Sequence, residues 1–453
     1  MAAPFARFRP DVSMPGLLDT VRGAFGNVTD KRRQASVRYS MPDALMAGLA
    51  IFSLKYPSLL MFDTDARPEM PITNHNLKTL FGLSAVPCDT QMRAILDPVR
   101  PSELRPAFRA IHSGLQRSNS LRDFNTLGGK LLLSIDGTGS YSSTKISCEH
   151  CCEKKPKGAQ KDAGESEFYH QMLGAVLVHP DRTTVLPMDF EPITRADGSQ
   201  KNDCERNAAK RLIPAIAAQY PKRQFVVIED ALAANGPHIA TLIEHRMDYI
   251  IVAKPGANAT LFEALDERVR TNRTVEWETT DEQTGLVRGY RITKSVALNQ
   301  TYPDLLVNSL EYWEIDRHGK ERNWHWITNL EINGDNAYDI MRAARARWKI
   351  ENETFLTLKK QGYHFEHSYG HGKQYLSSVL GGLMLLAFLI DQVQEGFCRV
   401  FQAIRERYKS RRSLWEKLRG SFNNVKASDW EGFMQFWHRP EDFSFSLPAG
   451  RPT

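Results

Sequence analysis

Residues 131–139 read LLLSIDGTG, and residues 224–230 read QFVVIED. Each is a short apolar run that closes on an acid. Ile135 gives way to Asp136 and Gly137; Ile228 gives way to Glu229 and Asp230. Runs of this length, rich in Leu, Val and Ile and bounded by turn residues, are the pattern of buried strands. The first is expected to stop at Asp136, where Asp136-Gly137-Thr138-Gly139 reads as a turn. Two further strands are expected at Gln171–His179 and Thr184–Met188. A helix Asp203–Ala218, capped by Asn202 or Asp203, precedes the second acid strand, and helix Pro237–Arg246 and strand Tyr249–Lys254 follow it. Three strands, then helix, strand, helix, strand, predict an α/β fold built on a mixed sheet.

The pattern changes outward from there. Residues 270–330 alternate apolar and polar side chains and are rich in aromatic and β-branched residues, as in VRGYRITKSVAL and NWHWITNL. They read as a β-rich insertion. A helix is expected over Asn336–Lys360. The division that follows is 1–125, a helical N-terminal region; 126–269, the first part of the core; 270–330, the insertion; 331–375, the long helix and the end of the core; and 376–453, a helical basic C-terminal region. The N-terminal region is open to two readings, a DNA-binding unit or a helical scaffold or dimerisation domain. The most apolar segment, Leu376–Ile390, is shorter than the ~20 residues a membrane span needs, and is expected to be a core helix.

Composition narrows the class. The chain has 453 residues, 42% hydrophobic and 25% charged, with a net charge of +6. Those are the proportions of a folded protein with a real core. Between Arg399 and Arg419 stand eight Lys/Arg against two Glu, an excess equal to that of the whole chain. Such a run is either a solvated helix face or a polyanion contact. Six cysteines are too few for a disulfide scaffold, and point to a reduced, intracellular setting. The N-terminus lacks the apolar run of a signal peptide. No Gly-rich phosphate loop follows any expected strand, which argues against a nucleotide-dependent metabolic enzyme.

Acids at the ends of rigid strands are well placed for chemistry on a solvent-exposed rim. Asp136 and Asp230 are the candidates, and a helical acid completes the set. At ~100° per residue, Glu351 shares a face with Trp348, Phe355 and Leu358. Glu353 points away, toward Lys349 and Lys360, and is expected to be their solvated partner. Arg347 lies one turn before Glu351, an i,i+4 pair that holds the carboxylate or serves as a simple helix salt bridge. Three carboxylates suit hard cations such as Mg²⁺. Two ions about 3.5–4 Å apart are a known device for phosphodiester chemistry.

LLLSIDGTG, QFVVIEDALAANG, HWITNL and RARWKIENETFLTLKKQGYHFEHSYGHG resemble the DDE transposases of bacterial insertion sequences, in the group with a β-strand insertion in a ribonuclease-H-like core. The resemblance spans roughly residues 128–390. The order of the acids agrees, and the longer second interval has room for the insertion. It implies that Asp136, Asp230 and Glu351 bind Mg²⁺ or Mn²⁺ and catalyse strand cleavage at transposon ends and strand transfer into target DNA. Relatives carry a Tyr-x2-Arg-x3-Glu-x6-Lys signature whose basic groups grip DNA-end phosphates. Arg347 and Glu351 match it. Ala344 stands at the Tyr position and Leu358 at the Lys position, with Lys359 and Lys360 just beyond. A Trp of the insertion stacks on a flipped base in relatives, which makes Trp324 and Trp326 candidates. The resemblance also implies double-stranded DNA as partner, a homo-oligomer on that DNA, no membrane, and a bacterial cytoplasmic, nucleoid-associated location. Another metal-dependent nuclease or resolvase on the same core, or a domesticated DNA-binding protein with a dead site, are the alternatives.

Cys148-x2-Cys151 has the spacing of half a zinc site, with His170 and Cys204 as candidates for the rest. The competing expectation is a loop of reduced cysteines beside lysines 154, 155, 157 and 161.

Overall fold

The computed structural model describes residues 9–33, 35, 37–156, 165–195 and 204–443. The expected caps Asn202 and Asp203, and Lys157 and Lys161, lie outside them. The chain forms two compact units, Leu121–Thr357 and the two ends, Met1–Ser120 with Leu358–Thr453.

The central unit carries eleven strands among the described residues. They are β1 (Asn125–Thr126), β2 (Lys130–Ser143), β3 (Cys152–Lys154), β4 (Glu167–Val178), β5 (Leu186–Ile193), β6 (Phe225–Glu229), β7 (Asp248–Val252), β8 (Val275–Asp281), β9 (Leu286–Asn299), β10 (Tyr302–Ile315) and β11 (Glu321–Thr328). β2 is flanked by β4, antiparallel, and by β6, parallel; β7 continues parallel to β6, and β5 lies outside β4. In chain order of these five the sheet runs 3-2-1-4-5, the ribonuclease-H-like mixed sheet expected. The insertion extends that same sheet. β11 pairs antiparallel with β7 through Trp326↔Val252, and β10, β9 and β8 follow as a meander.

The strand that opens the core does not stop at Asp136. β2 runs fourteen residues, through Gly137 and Gly139 to Ser143. Its parallel pairing with β6 extends only as far as Ser134↔Ile228, whereas its antiparallel pairing with β4 continues to Ser143↔Phe168. The apolar run therefore marks where the strand stops being covered, not where it ends.

The second departure lies in the expected helix Asn336–Lys360. Helix Ala337–Arg345 ends early, a turn follows, and Ile350–Phe355 is π-helical before a helical segment Leu356–Lys360. An i→i+5 pattern advances less per residue than 100°. The helical wheel fails accordingly: Trp348, expected inward, is 45% exposed, while Lys349 is buried.

The unit made of the chain ends is helical. Helix Met41–Ser53 opens with Ser40 accepting from the Asp43 N–H, an N-cap worth about 1 kcal/mol. It packs on helix Leu376–Phe397, with Gly48 facing Leu383 so closely that a Cβ would stand 2.8 Å from its Cδ1. Leu376–Phe397 has 22 residues and is long and apolar enough to cross a membrane, but 83% of its most apolar window is buried inside the protein, as a core helix requires. The helix continues past the apolar run that ends at Ile390, and Asp391, Gln392 and Gln394 in that extension are buried too. Asp391 pairs with Lys55 at 2.6 Å and accepts from the Tyr363 hydroxyl. The two termini, read as separate helical regions, thus share one core.

Candidate active site

Asp136 and Asp230 meet because of strand register. β2 and β6 run parallel, with Ser134 opposite Ile228 as the last pair of their register, and Asp136 and Asp230 each follow two residues beyond that pair in the same direction. Asp230 is extended and caps the short turn Ala231–Ala233, accepting from the Leu232 N–H at 2.9 Å. Asp136 accepts from the Gly137 N–H at 2.8 Å. Both line one cleft, together with Ile135, Leu173, Glu205, Arg206, Ala209, Glu229, Leu232, Ala233 and His238.

Glu351 arrives from the π-helical segment. Two contacts seat that segment on the sheet. Ser134 donates to the Arg347 carbonyl at 3.2 Å, from the same face of β2 as Asp136. Phe355 packs over β4 at Gly174, the residue paired with Asp136, where a Cβ would stand 3.3 Å from its ring. Arg347 then joins the acids: its Nη1 lies 2.6 Å from Glu351 and 3.4 Å from Asp136. Glu351 itself is 49% exposed and reaches Asp136 through Arg347 rather than by lining the cleft. The i,i+4 pair is therefore more than a helix salt bridge, since it also engages the strand acid.

Two acids were missed from sequence. Glu205, the first residue of helix Glu205–Gln219, covers Gly137, where a Cβ would fall 2.1 Å from its Oε1. A larger residue there would have to displace the Glu205 carboxylate. Burial, and then the charges of Asp230 and Glu229, push the Glu205 carboxyl above its ordinary value. Glu229 is buried and bonded to His238 Nε2 at 2.6 Å. Burial alone would lower His238, but the Glu229 carboxylate outweighs it and holds the imidazole above its usual range. Glu229 was visible beside Asp230, with nothing local to separate a paired acid from an open one. Glu205 follows the segment 196–203 and carries no strand-end signal.

The charge balance is negative. Asp136 is pushed up to about 7, chiefly by burial, with Glu351 and Glu205 adding to it against the Gly137 N–H and Arg347. Clustered carboxylates, one of them resisting ionisation, are the setting that a divalent cation relieves. The donor set is oxygen throughout, as hard cations prefer.

The remaining candidates divide. Trp326 is 2% exposed and packed within the sheet, so it offers no face to a base. Trp324 is half-buried, its ring 5.6 Å from Tyr312 and capped by the Arg345 guanidinium at 4.8 Å. A groove beside it is lined by Arg288, Tyr338, Arg342, Arg345, Trp348 and Lys349, among others. Lys349 donates to the Arg182 carbonyl at the β4–β5 turn and is buried. Lys359 and Lys360 belong to the helical unit and flank Glu366, at 3.5 and 3.8 Å. Lys360 is thus Glu366's partner rather than Glu353's. Cys148, Cys151 and His170 come together, and Cys204 does not join them: it opens helix Glu205–Gln219, exposed.

Comparison with known proteins adds three findings. The family model described as "Transposase DDE domain" matches residues 128–389, more than half of the chain. No curated protein matches. Among solved structures, the chain is similar to one described as "Cryo-EM structure of piggyBac transposase synaptic complex with hairpin DNA (SNHP)". The similarity has 11% identity and a TM-score of 0.39, and covers 92% of this chain and 78% of that one.

Proposed function

Since the chain belongs to the DDE transposase family, a class of enzymes that cleave and transfer phosphodiesters with divalent metal ions, we propose that Asp136, Asp230 and Glu351 are its catalytic acids. The single observation that carries this reading is that the two acids closing the apolar runs of β2 and β6 line one cleft while Arg347 ties the first of them to Glu351.

In this reading the three carboxylates hold Mg²⁺ or Mn²⁺. When bound, such ions supply positive charge to the attacking and leaving oxygens of a strand exchange. The protein's own groups do the positioning. β2 and β6 fix two acids on a rigid sheet, and Arg347 orients Glu351. Glu205 adds a negative charge that favours cation entry. The Arg/aromatic groove around Arg342, Arg345 and Trp348 takes the phosphates and bases of a transposon end, with Trp324 at its side. The reactions are hydrolysis at the element's ends, followed by attack of the freed 3′-hydroxyl on target DNA. A homo-oligomer pairs two ends in this scheme.

The test uses purified full-length protein and DNA carrying the sequences that flank this reading frame. Cleavage at the ends in Mg²⁺ is expected, and its loss in Asp136→Ala, Asp230→Ala and Glu351→Ala. Cleavage by Asp136→Ala at the wild-type rate would sink the assignment. Pre-cut ends separate transposition from simple nuclease action: the wild-type protein joins them to a target plasmid, whereas a resolvase or nuclease leaves them unjoined.

A further inference from the structure

Cys148 Sγ lies 3.5 Å from Cys151 Sγ, and His170 Nε2 lies 3.4 Å from the first and 3.3 Å from the second. These three atoms form a nearly equilateral triangle. A disulfide requires its sulfurs about 2.05 Å apart, so the pair is not one. With zinc–sulfur bonds of about 2.3 Å and zinc–nitrogen bonds of about 2.0–2.1 Å at tetrahedral angles, the expected edges are about 3.8 Å and 3.6 Å. The triangle matches one face of such a tetrahedron to within a few tenths of an ångström.

We infer that Cys148, Cys151 and His170 are ligands of a structural zinc ion separate from the catalytic acids. The ligand chemistry selects the metal, because thiolate sulfur favours zinc over the hard cations of the carboxylate site. The loop is shaped for it. The Cys151 N–H donates to the Cys148 carbonyl at 3.1 Å, and the Cys148 N–H points at Cys151 Sγ at 3.3 Å. That folded-back Cys-x2-Cys turn presents both sulfurs to one point and supplies a donor to the sulfur's charge. Cys151 and His170 are buried, so an ion held there is shielded from exchange.

The elements joined explain the use. His170 sits in β4 opposite Tyr141 of β2, and Cys151 directly precedes β3, which pairs with β4 through Cys152↔Tyr169. The ion therefore staples the loop 144–151 to the far end of the paired strands β2 and β4. Along β4, His170 is four residues from Gly174, the partner of Asp136, or about 13 Å. The staple steadies the strand that carries Asp136 without entering its cleft. A tetrahedral ion keeps a fourth position, and Cys204 does not fill it, contrary to the spacing-based expectation.

Metal analysis of the full-length protein, purified without chelator, is expected to find about one zinc per chain. Cys148→Ser and His170→Asn should each reduce that at least tenfold, while Cys204→Ser retains it. Should those variants fail to fold, cobalt exchanged into wild-type protein still decides. A thiolate-to-cobalt charge-transfer band supports the site. Overturning results are zinc-free protein after growth in zinc with no such band, a Cys148–Cys151 disulfide in its place, or zinc that survives Cys148→Ser or is lost with Cys204→Ser. Metal stoichiometry does not depend on DNA cleavage, so the zinc site and the catalytic assignment stand or fall separately.

Discussion

Asp136 is the residue on which opposing demands converge. Its strand is covered up to Ile135, so burial opposes its charge, while a cation site needs it ionised. Its carboxyl rises from 3.8 to about 7, with burial the main cause. The native state without metal then binds more protons here than the unfolded chain does. Stability from this group is full below about pH 4 and is lost as pH rises through about 7, a contribution of a few kcal/mol at most. Metal-free protein should accordingly lose more Tm between pH 5 and 8 than Asp136→Asn does, and Mg²⁺ should restore most of it at pH 8. Thermal melts with and without chelator check this. A variant whose pH slope equals that of the wild type would remove Asp136 as the source.

At the scale of the element, the π-helical segment Ile350–Phe355 decides whether Glu351 is useful. A regular α-helix would rotate Lys349 outward and Trp348 inward; the wider turn reverses them and leaves Trp348 on the Arg-lined groove. Phe355 over Gly174 is the anchor. Phe355→Leu should cost about 1–2 kcal/mol of stability yet slow strand cleavage on the order of 10–100-fold, since a displacement of about 1 Å in a catalytic group is that expensive. DNA affinity should stay within about twofold. Activity that falls only in proportion to folded protein would show that Phe355 packs without positioning.

Across the whole chain, the basic run 399–419 splits by its partners. Arg405 and Arg411 clamp Glu395 at 3.2 and 2.7 Å, and Arg419 donates to the Lys55 carbonyl. These three are structural. Arg399, Arg407, Lys409, Arg412 and Lys417 are exposed or half-buried, though Arg407 and Arg412 have Glu441 and Glu416 nearby at 3.2 and 3.1 Å. If this outer set meets DNA, replacing Arg399, Lys409 and Lys417 by Gln should weaken binding. It should also flatten log Kd against log[salt] by about 0.9 for each phosphate no longer neutralised. Titrations at several salt concentrations read this slope. An unchanged slope would make the run a solvated face. Arg411→Gln, by contrast, should lower Tm, since it leaves Glu395 with one cation fewer.

The sequence alone determined the acids that close the two apolar runs, the succession of the core strands along the chain and the presence of a β-rich insertion. Those are written in local periodicity, and burial acts on it directly. Asp136, Asp230, Glu351 and Arg347 were all legible in this way or through the family pattern. Tertiary structure decided the rest. The long reach of β2 past Asp136, the π-turn under Glu351, the burial of Trp326 and the approach of Glu205 all depend on partners more than twenty residues away. So does the exclusion of Cys204 from the thiol–imidazole cluster. A helical wheel or a cysteine spacing carries no information about which distant surface a side chain will meet. Only the packed sheet and the segments laid on it set those distances, because pairing register and close packing act between elements that the sequence leaves far apart.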